Sequence, residues 1–337
     1  MTVEVLTVGP SVSLQDAGRP GGLGIGLSRG GAADRFGYLA GCALLGAPMG
    51  VAAVEMAGFG GTFRFTEDRW FALTGAGMRA ALDGAPLGWN ATYQARAGQV
   101  LAIGSVETGV YGYLSLAGGI AAPTELGGRG FHQIAGLGRA LAAGDRLEPA
   151  APDQPVPGAL IFRGPDTRAA PLRILPGPQT AMFPADQIAA FEAAAFIRSA
   201  RANRQGVRLD HDGAPFAAGL QLTRVSDFIS EGDVQMTGDG TPYVLLADCQ
   251  TMGGYPRIGT VVPADLPRIA QAMPGDVVRF QMITVEQAEQ LWKSDAAVLA
   301  DLKAQVAPRV RDPREIRDLL SYDLIDRPSS AVTGLDE

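Results

Sequence analysis

The sequence predicts a mainly β protein with a few helices, arranged as two successive β-rich blocks. Three observations carry this. First, 337 residues hold 45 Gly and 23 Pro with only 7% aromatics, a composition of short strands and tight turns rather than of a helical bundle. Second, strand-like apolar runs recur between turn dipeptides such as Asp83-Gly84 and Ala97-Gly98, at the spacing of a barrel or sandwich. Third, the two halves echo each other. "YLSLAGG" and "VLLADCQTMGG" each lead a strand into paired glycines, and "RALAAGDRL" and "AQAMPGDVVRF" each close on Gly-Asp and a strand. The echo reads as a weak internal repeat, although turn chemistry alone yields the same match. A chain of this length holds about two domains.

In chain order, "TVEVLTV" alternates like a half-buried strand and breaks at Gly9-Pro10. A glycine-rich loop, "QDAGRPGGLGIGLSRGGA", leads to a helix over Asp34–Leu45. Asp34 is placed to cap it, Phe36, Leu39, Ala43 and Leu44 trace one face, and Gly46 with Pro48 end it. Strand-like runs "RWFALTGA", "VLAIG" and "VYGYLSLAGG" follow. The Pro- and Ala-rich stretch 149–171 reads as an inter-domain linker. The second block opens at "LRILPGPQTAMF", carries an Ala-rich helix near Asp186–Arg198, and ends at "GDVVRF". Thr284 and Gln287 have capping-box spacing, with Val285, Ala288, Leu291 and Trp292 on one helical face. From about Ala307 the chain is a charged appendage. The expected division is 1–155, 170–285, and a C-terminal helix and tail over 286–337.

Charge and composition narrow the function. A net charge of -7 argues against a nucleic-acid or anionic-membrane partner, while allowing a local anion pocket. The N-terminus lacks the basic and apolar regions of a signal peptide, and no apolar run approaches the roughly 18 residues of a membrane span. Two cysteines, Cys42 and Cys249, make no disulfide framework in a chain this long. A cytoplasmic protein is expected.

Familiar motifs fail on their own physics. "QTMGGYPRIGT" is not a phosphate cradle: it has no Lys, Pro256 removes a backbone donor, and a strand rather than a helix follows. "GLGIGLSRG" lacks the strand–turn–helix frame of a dinucleotide site. His132 and His211 have no metal-ligand spacing, and no metal site is expected. Cys42 falls in the apolar helix, Cys249 ends a strand, and no nucleophile elbow occurs. Two polar clusters set in glycine remain. Gln15, Asp16 and Arg19 combine an amide, a carboxylate and a guanidinium, and Arg204 and Arg208 flank Gly206. Arginine suits bidentate capture of carboxylates or carbonate-like groups. Equally, Asp16 and Arg19 can pair with each other or cap local backbone.

Taken together, "VSLQDAGRPG", "GGAADR", "ALTGAGMRAALDG", "YLSLAGGIAAP", "LRILPGPQ", "NRQGVRL", "ISEG", "DGTPYVLLADCQTMGGYPRIGTVV" and "PGDVVRF" resemble the biotin-dependent carboxyltransferase family. This family is also known as allophanate hydrolase subunit 2, KipA, or PxpC, the C component of 5-oxoprolinase. The resemblance runs in order over roughly residues 3–290. It implies two tandem cyclophilin-like β-barrel subdomains and a partner of the subunit-1, KipI or PxpB type. It further implies either a 5-oxoprolinase complex with a third, PxpA-like subunit that uses ATP, or a carboxyltransferase half. The latter moves a carboxyl group from carboxybiotin, carried on another chain, to urea or a related small amide. By resemblance, Gln15, Asp16, Arg19, Asp34, Gln250 and Tyr255 surround the catalytic pocket. Arg129, Arg204, Arg208, Gly253, Gly254 and Pro256 are the expected substrate-binding residues.

The chain also departs from the family pattern. Gly127-Gly128-Arg129-Gly130-Phe131 stands where Gly-Ser-Arg-Ser-Thr is usual, the segment after Gly232 is about four residues shorter, and an Asn expected near Gly41 is missing. No biotin-attachment Met-Lys-Met is present. The leading expectation is one subunit of an ATP-linked amidohydrolase that opens 5-oxoproline to glutamate. The alternatives are the carboxyltransferase half and a non-catalytic KipA-like regulator.

Overall fold

A computed structural model describes residues 2–152, 155–156, 158–162, 170–217 and 226–309. The fold is mainly β, with five α-helices among the described residues: α1 Arg35–Leu45, α2 Ala185–Ala193, α3 Leu266–Ala270, α4 Val285–Leu291 and α5 Asp295–Ala304. The described strands fall into two large sheets, one of eleven strands and one of eight, and a small sheet of two, Asp227–Phe228 with Met252–Gly253.

The eleven-stranded sheet is built on two long strands, Arg69–Leu82 and Val100–Leu116, paired antiparallel. Alternation along the first of these decides what each face meets. Phe71 and Leu73 enter a core with Val5, Phe63, Phe65, Leu101 and Leu114, while Ala72 turns to the other face, against α1. Helix α1 is buried from Gly37 to Leu45 and joins the same apolar cluster as the core of the second unit. It therefore acts as the plug between the two sheets. Gly41 is where it approaches closest, since a Cβ there would lie 2.4 Å from Ser115 Oγ.

The eight-stranded sheet runs, from edge to edge, Val277–Val278, Phe196–Asn203, Gly206–Asp210, Pro242–Leu245, Asp233–Met236, Arg257–Val261, Leu172–Leu175, Phe280–Met282. Its two edge strands are separated in sequence by Arg279 alone, so the sheet curls until its edges nearly meet, as a barrel does. Phe191 of α2 fills it, stacked on Phe280 with ring centroids 4.8 Å apart and edge-on to Phe216.

Several expectations change. The linker stretch contributes a strand, Leu160–Phe162, which pairs with Val306–Pro308 and with Ala91 in the first sheet. The Ala-rich helix stops at Ala193, not Arg198. Phe196 is needed in the aromatic core, and Arg198 pairs with Leu209 in a strand. The capping box forms as expected, Thr284 Oγ1 accepting the Gln287 N–H while Gln287 Oε1 accepts the Thr284 N–H. The apolar face it starts is not buried, however: Val285 is 54% and Trp292 63% exposed. Arg29 and Arg35 both bond Asp295, fixing α5 beside α1. The charged appendage beyond Arg309 lies outside the described residues.

Candidate functional site

The residues expected around one pocket are distributed over three assemblies. In the first unit, Gln15, Asp16, Arg19 and Arg129 form a clamp on the loop 125–131. Asp16 accepts the Gly18 N–H at 2.9 Å and the Arg129 N–H at 2.7 Å. Arg19, 1% exposed, donates from Nε to the Glu125 carbonyl and from Nη2 to the Gly130 carbonyl. Gln15 Nε2 bonds Ser13 Oγ and the Phe131 carbonyl, and the Arg129 side chain bonds the Ala122 carbonyl. These groups hold backbone, which is the local-capping alternative left open by the sequence. The glycines of the loop follow from the clamp. A Cβ at Gly128 would lie 2.7 Å from Arg19 Cγ, and one at Gly130 would lie 2.5 Å from Gln15 Oε1. Side chains at 128 and 130 are thus excluded by packing inside the clamp. Beside it, His132 Nδ1 accepts the Ala135 N–H, so Nε2 carries the proton and donates to Ser28 Oγ at 2.8 Å. Burial holds the His132 pKa below its ordinary value.

Arg204 belongs to an ionic seam between the units. Its guanidinium forks onto Asp248 at 2.7 and 2.9 Å, pairs with Glu55, and donates to the Gly31 carbonyl. Glu55 Oε2 in turn accepts from Tyr113 Oη at 2.7 Å and from the Ala33 N–H, and Tyr113 Oη accepts the Asp34 N–H. Burial opposes the Arg204 charge, but Glu55 and Asp248 outweigh it and raise the pKa. Arg204 is therefore a structural cation with its partners in place rather than a free anion holder. Asp34 caps α1 by accepting the Gly37 N–H at 2.9 Å, and Gln271 Nε2 donates to its other oxygen. Burial pushes the Asp34 carboxyl up to about 6.

The third assembly is open. A groove of about 840 Å³ on the second unit is lined by Asn203, Gln205, Arg208, Gln235, Gln250 and Tyr255, with Arg201, Thr237, Asp239 and Tyr243 completing its polar wall. Of the expected residues, it unites Arg208, Gln250 and Tyr255; the clamp and seam residues line other parts of the molecule. Arg208 is engaged by Asp210 at 2.8 Å and by Asp239 at 3.5 Å, so it too arrives neutralised. Gly253 lies just behind the wall, paired to Asp227, where a Cβ would come 2.9 Å from Gln235 Nε2. The Pro256 carbonyl accepts the Met236 N–H, tying the turn to the strand that carries Gln235. Gly254, with nothing within 4 Å of a Cβ there, holds no neighbour in place. Gln235 is 4% exposed, and its Nε2 has no partner among the described residues. Amides, hydroxyls and guanidinium groups on one wall match a small ligand that both donates and accepts, as an amide does.

Sequence reading missed Gln235, Glu55, Asp248 and Gln271. Glu55 left a signal, a lone acid in the apolar strand "AVEMA", and Gln235 did so between Val234 and Met236. Gln271, which donates to Asp34 and accepts the Val110 and Tyr111 N–H groups, left none. Among the described residues no three His, Cys, Asp or Glu side chains are grouped to hold a metal ion, and no helix is long and apolar enough to cross a membrane.

Comparison with known proteins places this architecture. The chain is 32% identical over 305 residues to the C component of 5-oxoprolinase from Haemophilus influenzae, covering 89% of this chain and 97% of that one. It is 32% identical over 298 residues to the C component of 5-oxoprolinase from Escherichia coli, covering 85% and 93% respectively. The crystal structure of the K. lactis urea amidolyase superposes with a TM-score of 0.81 at 24% identity. That match covers 93% of this chain but only 21% of the other, a likeness of fold to one part of a much longer protein. The family sequence pattern described as the carboxyltransferase domain, subdomain A and B, matches residues 25–282, and the chain belongs to that family.

Proposed function

We propose that this chain is one subunit of a heteromeric, ATP-linked amidohydrolase of the 5-oxoprolinase type, acting on a small cyclic amide. The observation that carries the reading is the groove wall of Asn203, Gln235, Gln250 and Tyr255, with donor capacity on the buried Gln235 amide that is unused among the described residues. A buried amide left without a partner costs about 1–3 kcal/mol, and turning its Nε2, which faces Gly253 beneath the wall, onto a bound amide offsets that cost. Near-complete coverage of two proteins named as the C component of 5-oxoprolinase supports the same substrate class.

Groove residues can bind and orient a lactam and polarise its carbonyl. They do not fit a triphosphate, since Arg201 is the single lining cation without a carboxylate partner among the described residues, Arg208 is engaged by Asp210 and Asp239, and Asp239 itself faces the groove. ATP is accordingly assigned to a partner of the PxpB/KipI or PxpA type, and the groove supplies the amide-binding half of the site.

The test is co-expression with such partners and measurement of ATP- and 5-oxoproline-dependent glutamate release. Gln235→Leu should lower kcat/KM about 10- to 100-fold, as loss of a donor to a polarised carbonyl does, while leaving thermal stability equal or higher. Absence of ATP-dependent glutamate release, or a Gln235→Leu complex of full activity, would refute the proposal.

A further inference from the structure

We infer that Arg201 recognises an anionic group on the ligand of this groove, which makes the ligand class a small amide that carries a carboxylate. The inference rests on the groove reading above and adds the residue that distinguishes a charged lactam from a neutral amide.

The placement of Arg201 comes from a register fault. Strands Phe196–Asn203 and Gly206–Asp210 pair as a hairpin, Arg198 opposite Leu209 and Ala202 opposite Val207, with the register shifting between Arg198 and Ala202. A regular strand presents alternate residues to one face. Here Ala200, Arg201, Ala202 and Asn203 all line the groove in succession. The bulge re-aims the strand so that Arg201 joins a wall of amides and hydroxyls in which the other guanidinium, Arg208, is already paired, a use of bulges common beside binding sites.

Charge accounting separates Arg201 from its neighbours. Arg204 is taken by Glu55 and Asp248, and Arg208 by Asp210 and Asp239. Arg201 has no carboxylate partner at ion-pair distance among the described residues. Its charge reaches Asp210, but that carboxylate is held by Arg208 first. The groove's charged lining is Arg201, Arg208 and Asp239; with Arg208 held by Asp210 and Asp239, Arg201 is the lining cation left without an ion-pair partner among the described residues, in a protein whose net charge is -7. A concave positive spot on an acidic surface draws in small anions. The planar fork of arginine matches a carboxylate with two parallel hydrogen bonds. A lactam bearing a carboxylate satisfies both halves of the wall, whereas a neutral amide such as urea leaves Arg201 unused.

Binding of 5-oxoproline and of 2-pyrrolidinone, the same lactam without the carboxylate, to the purified full-length chain tests this by ligand-observed NMR. The wild type should prefer 5-oxoproline by about 3- to 10-fold, the range for a solvent-accessible charge pair with bidentate geometry. That preference should shrink as salt is raised. Arg201→Gln should bring it close to unity without changing the affinity for 2-pyrrolidinone or the Tm, and Arg201→Lys should keep part of it. An undiminished preference in Arg201→Gln would overturn the inference and leave the groove reading intact. Failure of both lactams to bind the wild type would overturn the groove reading and this inference with it.

Discussion

Replacing Arg204 with Met tests whether the guanidinium is a structural tie or a ligand holder. The substitution removes three carboxylate contacts and one carbonyl contact while keeping most of the side-chain volume. It leaves Glu55 and Asp248, with side chains 2% and 3% exposed, as two buried negative charges with their shared cation gone. Breaking a buried pair in this way costs about 3–5 kcal/mol, and the orphaned Gly31 carbonyl adds about 1 kcal/mol. Because the seam joins both units, the whole loss of about 4–6 kcal/mol enters unfolding, lowering Tm by on the order of 10–20 °C. Thermal and urea denaturation at pH 7, followed by circular dichroism, measure this. Arg204→Lys, which keeps the charge and loses the fork, should fall between. A Met variant within about 1 kcal/mol of wild type at pH 7, weakened only in ligand binding, would refute the structural assignment.

Two further outcomes follow from the packing. Gly130→Ser introduces the hydroxyl that the family resemblance implies at this position, but its Cβ would lie 2.5 Å from Gln15 Oε1 and 3.2 Å from Asp16 Oδ1. It should destabilise by about 1–3 kcal/mol in urea denaturation, and a neutral or stabilising result would show that the clamp has room to spare. Asp34 should titrate near pH 6 by carbon-detected NMR, raised by burial from its ordinary 3.8. Since the folded value lies above the unfolded one, its contribution to stability is complete below about pH 4 and is lost as pH rises through 6, a span of about 3 kcal/mol. A midpoint below 4 would contradict the burial argument.

What could be read from the sequence was local. The Asp34 cap, the α1 boundaries and the Thr284–Gln287 box depend on residues within a turn of one another, and they appear where expected. Gly-Gly-Tyr-Pro was legible as a turn into a strand for the same reason. The state of each arginine was not. Arg204 meets a carboxylate 149 residues away, so nothing near it in the chain announces that it is already paired. Arg19 looked equally free, yet its hydrogen bonds go to carbonyls 106 and 111 residues on. Polar residues in glycine-rich sequence look alike whether they hold a ligand or a loop, and only the tertiary partner separates the two. The end of α2 shows the same limit: helix propensity favours continuing through Ala194, but the demand for Phe196 in the aromatic core overrides it.

The pairing of Leu160–Phe162 with Val306–Pro308 has a consequence for how the molecule is made and how it moves. The chain leaves the first sheet on one strand and returns to it on the adjacent strand, so the second barrel is an insertion within the first unit rather than a bead following it. During synthesis the first sheet stays incomplete until about residue 308 has been made, with its Leu160–Phe162 edge awaiting a strand that arrives after the second barrel. Once assembled, both covalent crossings lie side by side. Any opening of the two units must then pivot about that one pair of strands, pulling against the ionic seam at Arg204.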